Sequence, residues 1–286
     1  MKAILLIVFL FTIGISVFGQ HKKHPNCFMC KGKEHLHLDP YNISLKRDWP
    51  YLLTGTVLLT TGFVLFENDQ VTPYTPVEVN ALNRKDVNSF DRGATYNKSN
   101  SARQASDIIL FSSLVVMPML FLSENHTRKE IGSLLVMTYE VLSINYGLTN
   151  IVKSVANRTR PYAYNPDYTY EQRTDRESRF SFYSGHTSVT ASLTFLWAQV
   201  MTDYHPELTK AYKIGIWSFA ALVPATTGYL RVKAGKHYPT DVITGYAIGA
   251  LTGVLIPHMH KMSNGKVSVY PTRLLNTNGV GMTITL

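Results

Sequence analysis

The strongest constraint on this chain is a series of six apolar segments that begins after residue 48. Their uncharged cores are residues 49–66, 108–123, 131–139 continuing past Glu140, 187–202, 214–230 and 242–257. Leu, Ala, Met and Thr dominate these segments, which favours helices over strands. Most are 16 to 18 residues long, at the margin between a membrane span and a long buried core helix. The pattern predicts an all-α bundle of six helices, associated with a membrane, and leaves the number of spanning helices open.

Residues 1–19 have the features of a secretion signal. A lysine near the start is followed by an apolar run over residues 3–18, and Val17 and Gly19 are small residues that suit cleavage before Gln20. An uncleaved anchor helix is the alternative. In both cases the chain is directed to or through a membrane, which disfavours a cytosolic enzyme.

Residues 20–48 form a polar segment with an unusual composition. It holds both cysteines, Cys27 and Cys30, and four of the ten histidines. Thiolate and imidazole are the ligands that zinc prefers, but in an oxidising compartment a local disulfide is an equal alternative. Because the chain has no second pair of this kind, we expect either a disulfide or a peripheral metal site.

The charge balance narrows the classes of partner. The chain has 28 Lys and Arg against 19 Asp and Glu, a net charge of +9, which suits phosphate-bearing partners. Only 16% of the residues are charged and 45% are hydrophobic, which excludes intrinsic disorder. Basic and aromatic residues can also bind nucleic acid, but an apolar helical body behind a secretion signal disfavours that partner.

The six segments lie within residues 49–260, which we expect to form one domain. In the tail of residues 261–286, two alternating stretches flank Asn278-Gly279. This dipeptide is typical of tight turns between antiparallel strands. A short C-terminal hairpin is therefore predicted.

If the six helices alternate in direction, the connections 152–186 and 231–240 lie on the same face of the bundle. The first of three polar clusters on that face is Lys153 with Arg160, followed by Pro161. Lys153 and Arg160 are seven residues apart, two helical turns, so both can project from one helix face. Pro161 ends the helix and favours extended backbone at Arg160. The alternative is that cations simply stabilise a helix C-terminus.

The second cluster is Ser184-Gly185-His186, directly before the fourth apolar segment. Ser184 can cap the helix, and Gly185 lets an anion approach the backbone. The free amide groups at a helix N-terminus then form a seat for phosphate. Ordinary capping is the alternative interpretation.

The third cluster contains Arg231, His237 and Asp241 and leads into the sixth segment. His237 and Asp241 are four residues apart, so the carboxylate can accept a hydrogen bond from one imidazole nitrogen. That bond would set the tautomer and leave the other nitrogen as a nucleophile. A structural His–Asp pair is the alternative.

Together the clusters resemble the three-part signature of the type 2 phosphatidic acid phosphatase (PAP2) superfamily, written K-x6-R-P, P-S-G-H and S-R-x5-H-x3-D. The matching positions are Lys153, Arg160, Pro161, Ser184, Gly185, His186, Arg231, His237 and Asp241. Two positions depart from it: Tyr183 replaces the usual proline and Leu230 the usual serine. The missing serine hydroxyl puts rate and substrate preference in doubt, and not the class of chemistry.

The resemblance implies a six-helix core and a phosphatase that needs no metal or other cofactor. By this resemblance His237 attacks phosphorus and forms a phosphohistidine, Asp241 orients it, and His186 acts as the general acid and then as the base. The same resemblance assigns phosphate binding to Lys153, Arg160, Ser184, Gly185 and Arg231.

The implied substrate is a lipid or isoprenoid phosphate or diphosphate at a bacterial envelope membrane. The same superfamily implies two further enzymatic alternatives: an acid phosphatase of soluble phosphomonoesters and a vanadium-dependent haloperoxidase. A non-catalytic envelope protein that binds phosphate or metal is the alternative outside enzymes. The chain does not indicate an oligomeric state.

The loop of residues 162–180 interleaves Tyr and Arg, which suggests a lid or head-group collar; a solvated loop is the alternative. The side of the membrane is harder to infer. A cleaved signal followed by six spans would place the clusters in the cytoplasm, and the charges of the connections do not decide the orientation. The family resemblance implies a periplasmic site. We therefore expect an outward-facing site on helices that need not all span the membrane.

Overall fold

The computed structural model describes residues 40–41, 43–68, 71–261, 267–274 and 277–284. The predicted signal of residues 1–19 lies outside the described residues, as do Cys27 and Cys30. The interpretations of those two regions therefore remain predictions.

Six long helices form the body of the protein and confirm the predicted all-α bundle. They are α1 (Leu45–Glu67), α2 (Asn100–Leu120), α3 (Ile131–Ala156), α4 (Gly185–Tyr204), α5 (Lys210–Lys233) and α6 (Pro239–His260). The largest difference from the predicted segments is at α2, which begins at Asn100 instead of near residue 108. Its first two turns contain the charged residues Arg103 and Asp107, so hydropathy alone did not include them.

The connections on one face of the bundle fold into short helical pieces. The α-helical pieces are Pro76–Ala81, Ser89–Arg92, Asn125–Lys129 and Tyr170–Thr174, and the 3-10 turns are Arg84–Asp86, Gly93–Tyr96, Pro161–Tyr164 and Arg176–Arg179. Within the predicted lid, Tyr162 and Phe180 are buried. That segment is therefore packed against the bundle and is not simply a solvated loop.

Helix α4 lies at the centre of the bundle and contacts α2, α3, α5 and α6, while α1 packs on α3. Glycines on α6 permit the closest of these approaches. A Cβ atom at Gly249 would lie 2.1 Å from the carbonyl oxygen of Ser188, and one at Gly245 would lie 2.6 Å from that of Ser184. Because no side chain fits there, the start of α6 is held directly against the start of α4.

The opposite end of the bundle is held by polar pairs, of which the one between α3 and α6 is fully buried. Glu140, which interrupts an apolar segment in the sequence, lies on α3 with its Oε2 atom 2.6 Å from Nε2 of His260 at the end of α6. The hydroxyl of Tyr41 donates to Asp203 at 2.7 Å, and Lys261 contacts the same carboxylate at 2.6 Å. These contacts join the start and the end of the bundle away from the polar clusters.

Four of the described helices are long and apolar enough to cross a membrane: α1, α2, α3 and α6. On α2, Ile108, Phe111 and Val115 are exposed, as are Ile243 and Leu251 on α6. A helix surface of this kind is typical of contact with lipid. The protein is therefore membrane-associated, with four candidate spans in the described part of the chain.

The C-terminal hairpin is present. Strands β1 (Val267–Leu274) and β2 (Thr277–Ile284) are antiparallel, with Val267 opposite Ile284. The predicted position of its turn was wrong, because Asn278 pairs with Arg273 inside β2. The observed register pairs all eight residues of β1 with β2, whereas a turn at Asn278-Gly279 would leave only the five described residues 280–284 to pair with the strand before it.

Candidate active site

The helix ends that carry the three clusters meet around one cavity of about 350 Å³. Its lining residues are Arg103, Asp107, Lys153, Arg160, Tyr162, Asp175, Glu177, His186, Arg231, Lys236 and His237. They come from the start of α2, the end of α3, the start of α4, the end of α5 and the connections between helices. The structure thus brings together, on one face, the clusters that the alternation of helix directions predicted to be neighbours.

His237 lies in the connection between α5 and α6, and only 1% of it is exposed. Its Nδ1 atom is 2.8 Å from the carbonyl oxygen of Ser181. Because a carbonyl can only accept, Nδ1 carries the proton and Nε2 keeps its lone pair. Burial lowers the pKa of His237 well below its usual value, and the charges of Arg160 and Arg231 lower it further. The imidazole is therefore neutral at neutral pH, with a free lone pair on Nε2.

The expected hydrogen bond between His237 and Asp241 is replaced by an indirect contact. The Nδ1 atom of His237 is 3.5 Å from Asp241 Oδ2, farther than from the Ser181 carbonyl. Oδ2 instead accepts from the Ser181 hydroxyl at 2.5 Å and from the backbone N–H of Tyr238 at 2.9 Å. The four-residue spacing brings the carboxylate near the ring, but capping of α6 turns it towards the backbone.

His186, the second residue of α4, faces the cavity from the other side. Its Nε2 atom is 2.9 Å from Asp107 Oδ1, and the same oxygen accepts from Arg231 NH1 at 3.1 Å. Burial and the charge of Arg231 lower the pKa of His186 to about 4, while the Asp107 carboxylate opposes that change. One carboxylate thus binds both the candidate acid and a candidate phosphate ligand.

The cations of the first cluster reach the cavity by different routes. Helix α3 ends at Ala156, and Asn157 takes the left-handed conformation with φ 42°, which asparagine tolerates. Arg160 is therefore in extended backbone and does not share a helix face with Lys153, which corrects that part of the prediction. The extended geometry that Pro161 predicted for Arg160 is observed, with φ −74° and ψ 151°. Arg160 donates to Glu177 at 3.0 Å.

Ser184 and Gly185 occupy the start of α4. Ser184 is fully buried, and its hydroxyl oxygen is 3.0 Å from that of Thr187. Its backbone N–H donates to the carbonyl oxygen of Asp241 at 3.1 Å. The structure thus places the Ser184 hydroxyl in the helix cap, and the cavity lining does not include it. Gly185 lies beside His186, where it lines a neighbouring apolar cavity.

That apolar cavity adjoins the polar one and measures about 250 Å³. Six apolar or aromatic side chains contribute to its wall: Phe66, Leu110, Leu114, Leu142, Tyr146 and Val189. Lys153, Glu177 and His186 line both cavities. A charged pocket and an apolar pocket therefore share one boundary, at His186.

Sequence reasoning missed several residues of the site. Asp107 and Arg103 were hidden by the hydropathy boundary of α2, although a carboxylate beside a long apolar segment is an available signal. Lys236 precedes His237 and lies 4.2 Å from the centre of the Tyr162 ring. Burial, together with Arg160 and Arg231, lowers the pKa of Lys236 to about 8. Nothing in the sequence marked Ser181.

Comparison with known proteins identifies the segment that carries the site. Residues 133–264 match the family model described as PAP2 superfamily. Phosphatidylglycerophosphatase B of Bacillus subtilis is 34% identical over 80 residues, covering 28% of this chain and 39% of that protein. Lipid A 4'-phosphatase of Porphyromonas gingivalis is 33% identical over 99 residues, covering 34% and 37%. Phospholipid phosphatase 1 of Rattus norvegicus is 28% identical over 137 residues, covering 40% and 47%.

The matched region spans less than half the length of each of these three relatives. Among solved structures, a transmembrane PAP2 type phosphatidylglycerolphosphate phosphatase from Bacillus subtilis superposes with a TM-score of 0.44 and 19% identity. That superposition covers 72% of this chain and 94% of the other.

Proposed function

We propose that this chain, whose residues 133–264 match the family model described as PAP2 superfamily, is a phosphatase that hydrolyses a lipid or isoprenoid phosphate or diphosphate. The observation that carries this proposal is the shared boundary of the two cavities. A buried neutral His237 lies in a cavity lined by cations, and His186 lies where that cavity meets an apolar one. The phosphate and the hydrocarbon part of one substrate each find a matching environment.

The first chemical step uses His237 as the nucleophile. Its Nε2 lone pair forms a bond to phosphorus while the bond from phosphorus to the leaving oxygen breaks, and the leaving oxygen takes a proton from His186. In the second step His186 accepts a proton from water, and the resulting hydroxide displaces Nε2 from phosphorus. Inorganic phosphate is released and both histidines return to their starting states.

The cations of the cavity stabilise the transition state. In phosphoryl transfer the equatorial oxygens carry charge in the transition state, and the enzyme contributes chiefly by positioning and by electrostatic stabilisation. Lys153, Arg160 and Arg231 bind these oxygens. Arginine suits two of the three positions because its planar group binds phosphate with two parallel hydrogen bonds.

The proton of His186 Nε2 points at Asp107. It reaches the leaving oxygen only when that oxygen replaces the carboxylate, so Asp107 and the substrate compete for the same N–H group. Asp107 and the substrate also compete for the Arg231 guanidinium, which donates to Asp107. Substrate binding therefore releases Asp107 from two contacts at once.

The apolar cavity favours a lipid over a soluble phosphomonoester. Each buried methylene group contributes about 0.8 kcal/mol to binding, which a soluble substrate cannot use. In addition, curated relatives of this chain are named for phosphatidylglycerophosphate, lipid A and phospholipid substrates.

Phosphate release from a matched set of substrates tests this function. The purified protein in detergent is given a long-chain alkyl phosphate, an isoprenyl diphosphate and a short-chain alkyl phosphate, with EDTA present. We expect turnover of the long-chain substrates, a higher KM for the short one, and inhibition by vanadate. A strict Mg²⁺ requirement, or halide oxidation with vanadate and peroxide in place of phosphate release, would reject the proposal.

We place the site on the outer side of the membrane. The test uses a Cys27→Ser, Cys30→Ser background, which we expect to keep its turnover because neither residue belongs to the three clusters. Glu171, exposed on the site face, is changed to Cys, and the exposed Lys210 on the opposite face serves as the matched position.

An impermeant thiol reagent is expected to label Glu171→Cys in intact cells. Labelling of this position only after the inner membrane is permeabilised would overturn the outward-facing site. Lys210→Cys, combined with alkaline carbonate extraction, distinguishes a bundle that crosses the membrane from one that lies on its outer surface.

A further inference from the structure

A network of charged side chains lies behind His237 and includes Asp91 and Arg158. Asp91 lies outside the three clusters, and Arg158 lies within the first cluster but is not one of the matched positions of the signature. Arg158 NH1 donates to Asp241 Oδ1 at 2.5 Å and to the Thr240 hydroxyl at 2.7 Å. Its NH2 donates to Asp91 Oδ2 at 2.7 Å. The guanidinium carbon also lies 4.2 Å from the centre of the Tyr238 ring. Arg158 is thus held by two carboxylates and an aromatic face.

Asp91 fixes the other side of this network. It comes from the short helix Ser89–Arg92 in the connection between α1 and α2 and is fully buried. Besides Arg158, it accepts from the backbone N–H of Thr240 at 3.0 Å and from the Thr240 hydroxyl at 2.7 Å. The Asn88 amide donates to it at 2.9 Å. Asp91 therefore ties the first turn of α6 to a connection far away in sequence.

The network reaches the nucleophile in two further steps. Asp241 Oδ2 accepts from the Ser181 hydroxyl at 2.5 Å. The carbonyl oxygen of the same Ser181 accepts from His237 Nδ1 at 2.8 Å. A continuous path of hydrogen bonds thus runs from Arg158 through Asp241 and Ser181 to the imidazole. Arg158 is not among the residues that line the polar cavity, so it acts through other groups.

We propose that Arg158 and Asp91 are positioning residues for His237. Two buried carboxylates, Asp91 and Asp241, share one guanidinium, and without it their charges would be uncompensated. Arg158 holds the Asp241 carboxylate in position to accept from the Ser181 hydroxyl, and the Ser181 carbonyl then holds the proton on Nδ1 of His237. The lone pair of Nε2 stays directed at phosphorus. The kinetic part of this inference rests on the proposed phosphatase activity, whereas the structural part does not.

The kinetic test compares Arg158→Gln with Arg160→Gln, a matched loss of one arginine two residues away that lines the cavity. Rapid-quench measurement of phosphoenzyme formation, together with vanadate affinity, separates the two roles. For Arg158→Gln we expect the rate of phosphoenzyme formation to fall about 100-fold, the order of loss that misplacing a reacting group by 1 Å causes. Vanadate affinity should stay within about twofold. Arg160→Gln should instead weaken vanadate binding.

Two further variants separate positioning from folding. Asp91→Asn keeps the shape of the side chain and should lower the same rate, while Arg158→Lys keeps the charge and should recover part of the loss. Because both residues act on Asp241, the Arg158→Gln, Asp91→Asn double variant should be little worse than either single variant. Fully additive losses would overturn the coupling. So would an Arg158→Gln protein that loses vanadate affinity in step with rate, since Arg158 would then bind the anion directly.

A spectroscopic measurement decides the structural part without turnover. In protein labelled with ¹⁵N at histidine and assigned with His237→Gln, the nitrogen chemical shifts of His237 should show the Nδ1–H tautomer in the parent protein. In Arg158→Gln they should show a mixture of tautomers. An unchanged tautomer in Arg158→Gln would overturn the inference. If the parent protein releases no phosphate, the proposed function fails while this measurement still tests the network.

Discussion

The two sides of the cavity are built differently. On the side of the proposed nucleophile, His237 is 1% exposed, and hydrogen bonds connect it to Ser181, Ser181 to Asp241, and Asp241 to Arg158. On the side of the proposed acid, the His186 side chain is 26% exposed and is held by one carboxylate, Asp107. That carboxylate also holds Arg231.

The difference fits the role that the proposed mechanism gives to each histidine. A nucleophile attacks from one direction, so a fixed tautomer and a fixed ring lower the cost of reaching the transition state. An acid must give its proton to a substrate that arrives later, so its resting partner has to be replaceable. We conclude that rigidity is concentrated on the side where the proposed mechanism forms the bond to phosphorus.

The largest expected loss of phosphate release comes from removing His237, the proposed nucleophile. His237→Ala should lower phosphate release by at least about 10⁴-fold, because no other described side chain of the site occupies its position and a hydrolase without its nucleophile keeps only binding and electrostatic effects. Phosphate release and phosphoenzyme trapping are the measurements. His258→Ala, which removes an exposed histidine at the far end of α6, should have no effect. Strong phosphate release by His237→Ala would reject the mechanism.

The next largest loss of turnover comes from removing His186, the proposed acid, and its size depends on the leaving group. His186→Ala should lower turnover of an alkyl phosphate by about 10²- to 10⁴-fold, because an alkoxide needs a proton in order to leave. An activated aryl phosphate should be affected much less in the step that expels its leaving group, because that group departs without a proton. Single-turnover rates with both substrates measure this difference. An equal loss for the two substrates would contradict the assignment of His186 as the acid.

A smaller effect is expected from neutralising Asp107, the carboxylate that contacts both His186 and Arg231. In Asp107→Asn the pKa of His186 should fall further, because the carboxylate favours the protonated imidazole. At any pH above that pKa less of the acid is then protonated, and lowering the pKa by one costs about tenfold in alkyl phosphate turnover. Arg231, freed from Asp107, should bind phosphate more tightly, so kcat and KM should fall together. Profiles of kcat/KM between pH 4 and 8 should show activity confined to lower pH in the variant.

The smallest effect concerns the rim of the cavity. The pKa of Lys236 is lowered to about 8, so its ammonium group is charged below that pH and loses its charge as the pH rises through it. The KM for an anionic substrate should therefore rise a few-fold above pH 8. Lys236→Arg should keep a constant KM to higher pH, because arginine stays protonated. Lys233→Arg, at an exposed position one turn earlier, should behave like the parent protein. If KM rises above pH 8 in Lys236→Arg as well, the rise does not come from the loss of charge at Lys236.

Most of the architecture was predictable because it depends on local patterns. Apolar stretches of helical length indicated all six helices, and the alternation of their directions indicated that residues 152–186 and 231–240 share a face. The start of α2 was not predictable in this way, because its charged residues face a cavity that exists only after the helices have packed. The position of the hairpin turn also failed, since strand pairing overrode the preference of one dipeptide.

The sequence by itself determined the chemistry that is available: three cations, two histidines and a carboxylate at helix ends that an alternating bundle must bring to one side. Only the tertiary structure decided which atoms meet. It gave His237 the Ser181 carbonyl in place of Asp241, and it added Asp107, Lys236 and Arg158, none of which is a matched position of the signature. The physical reason is the short range and the directionality of hydrogen bonds. Their partners depend on how closely the helices approach, which glycines such as Gly245 allow and which no spacing along one segment can encode.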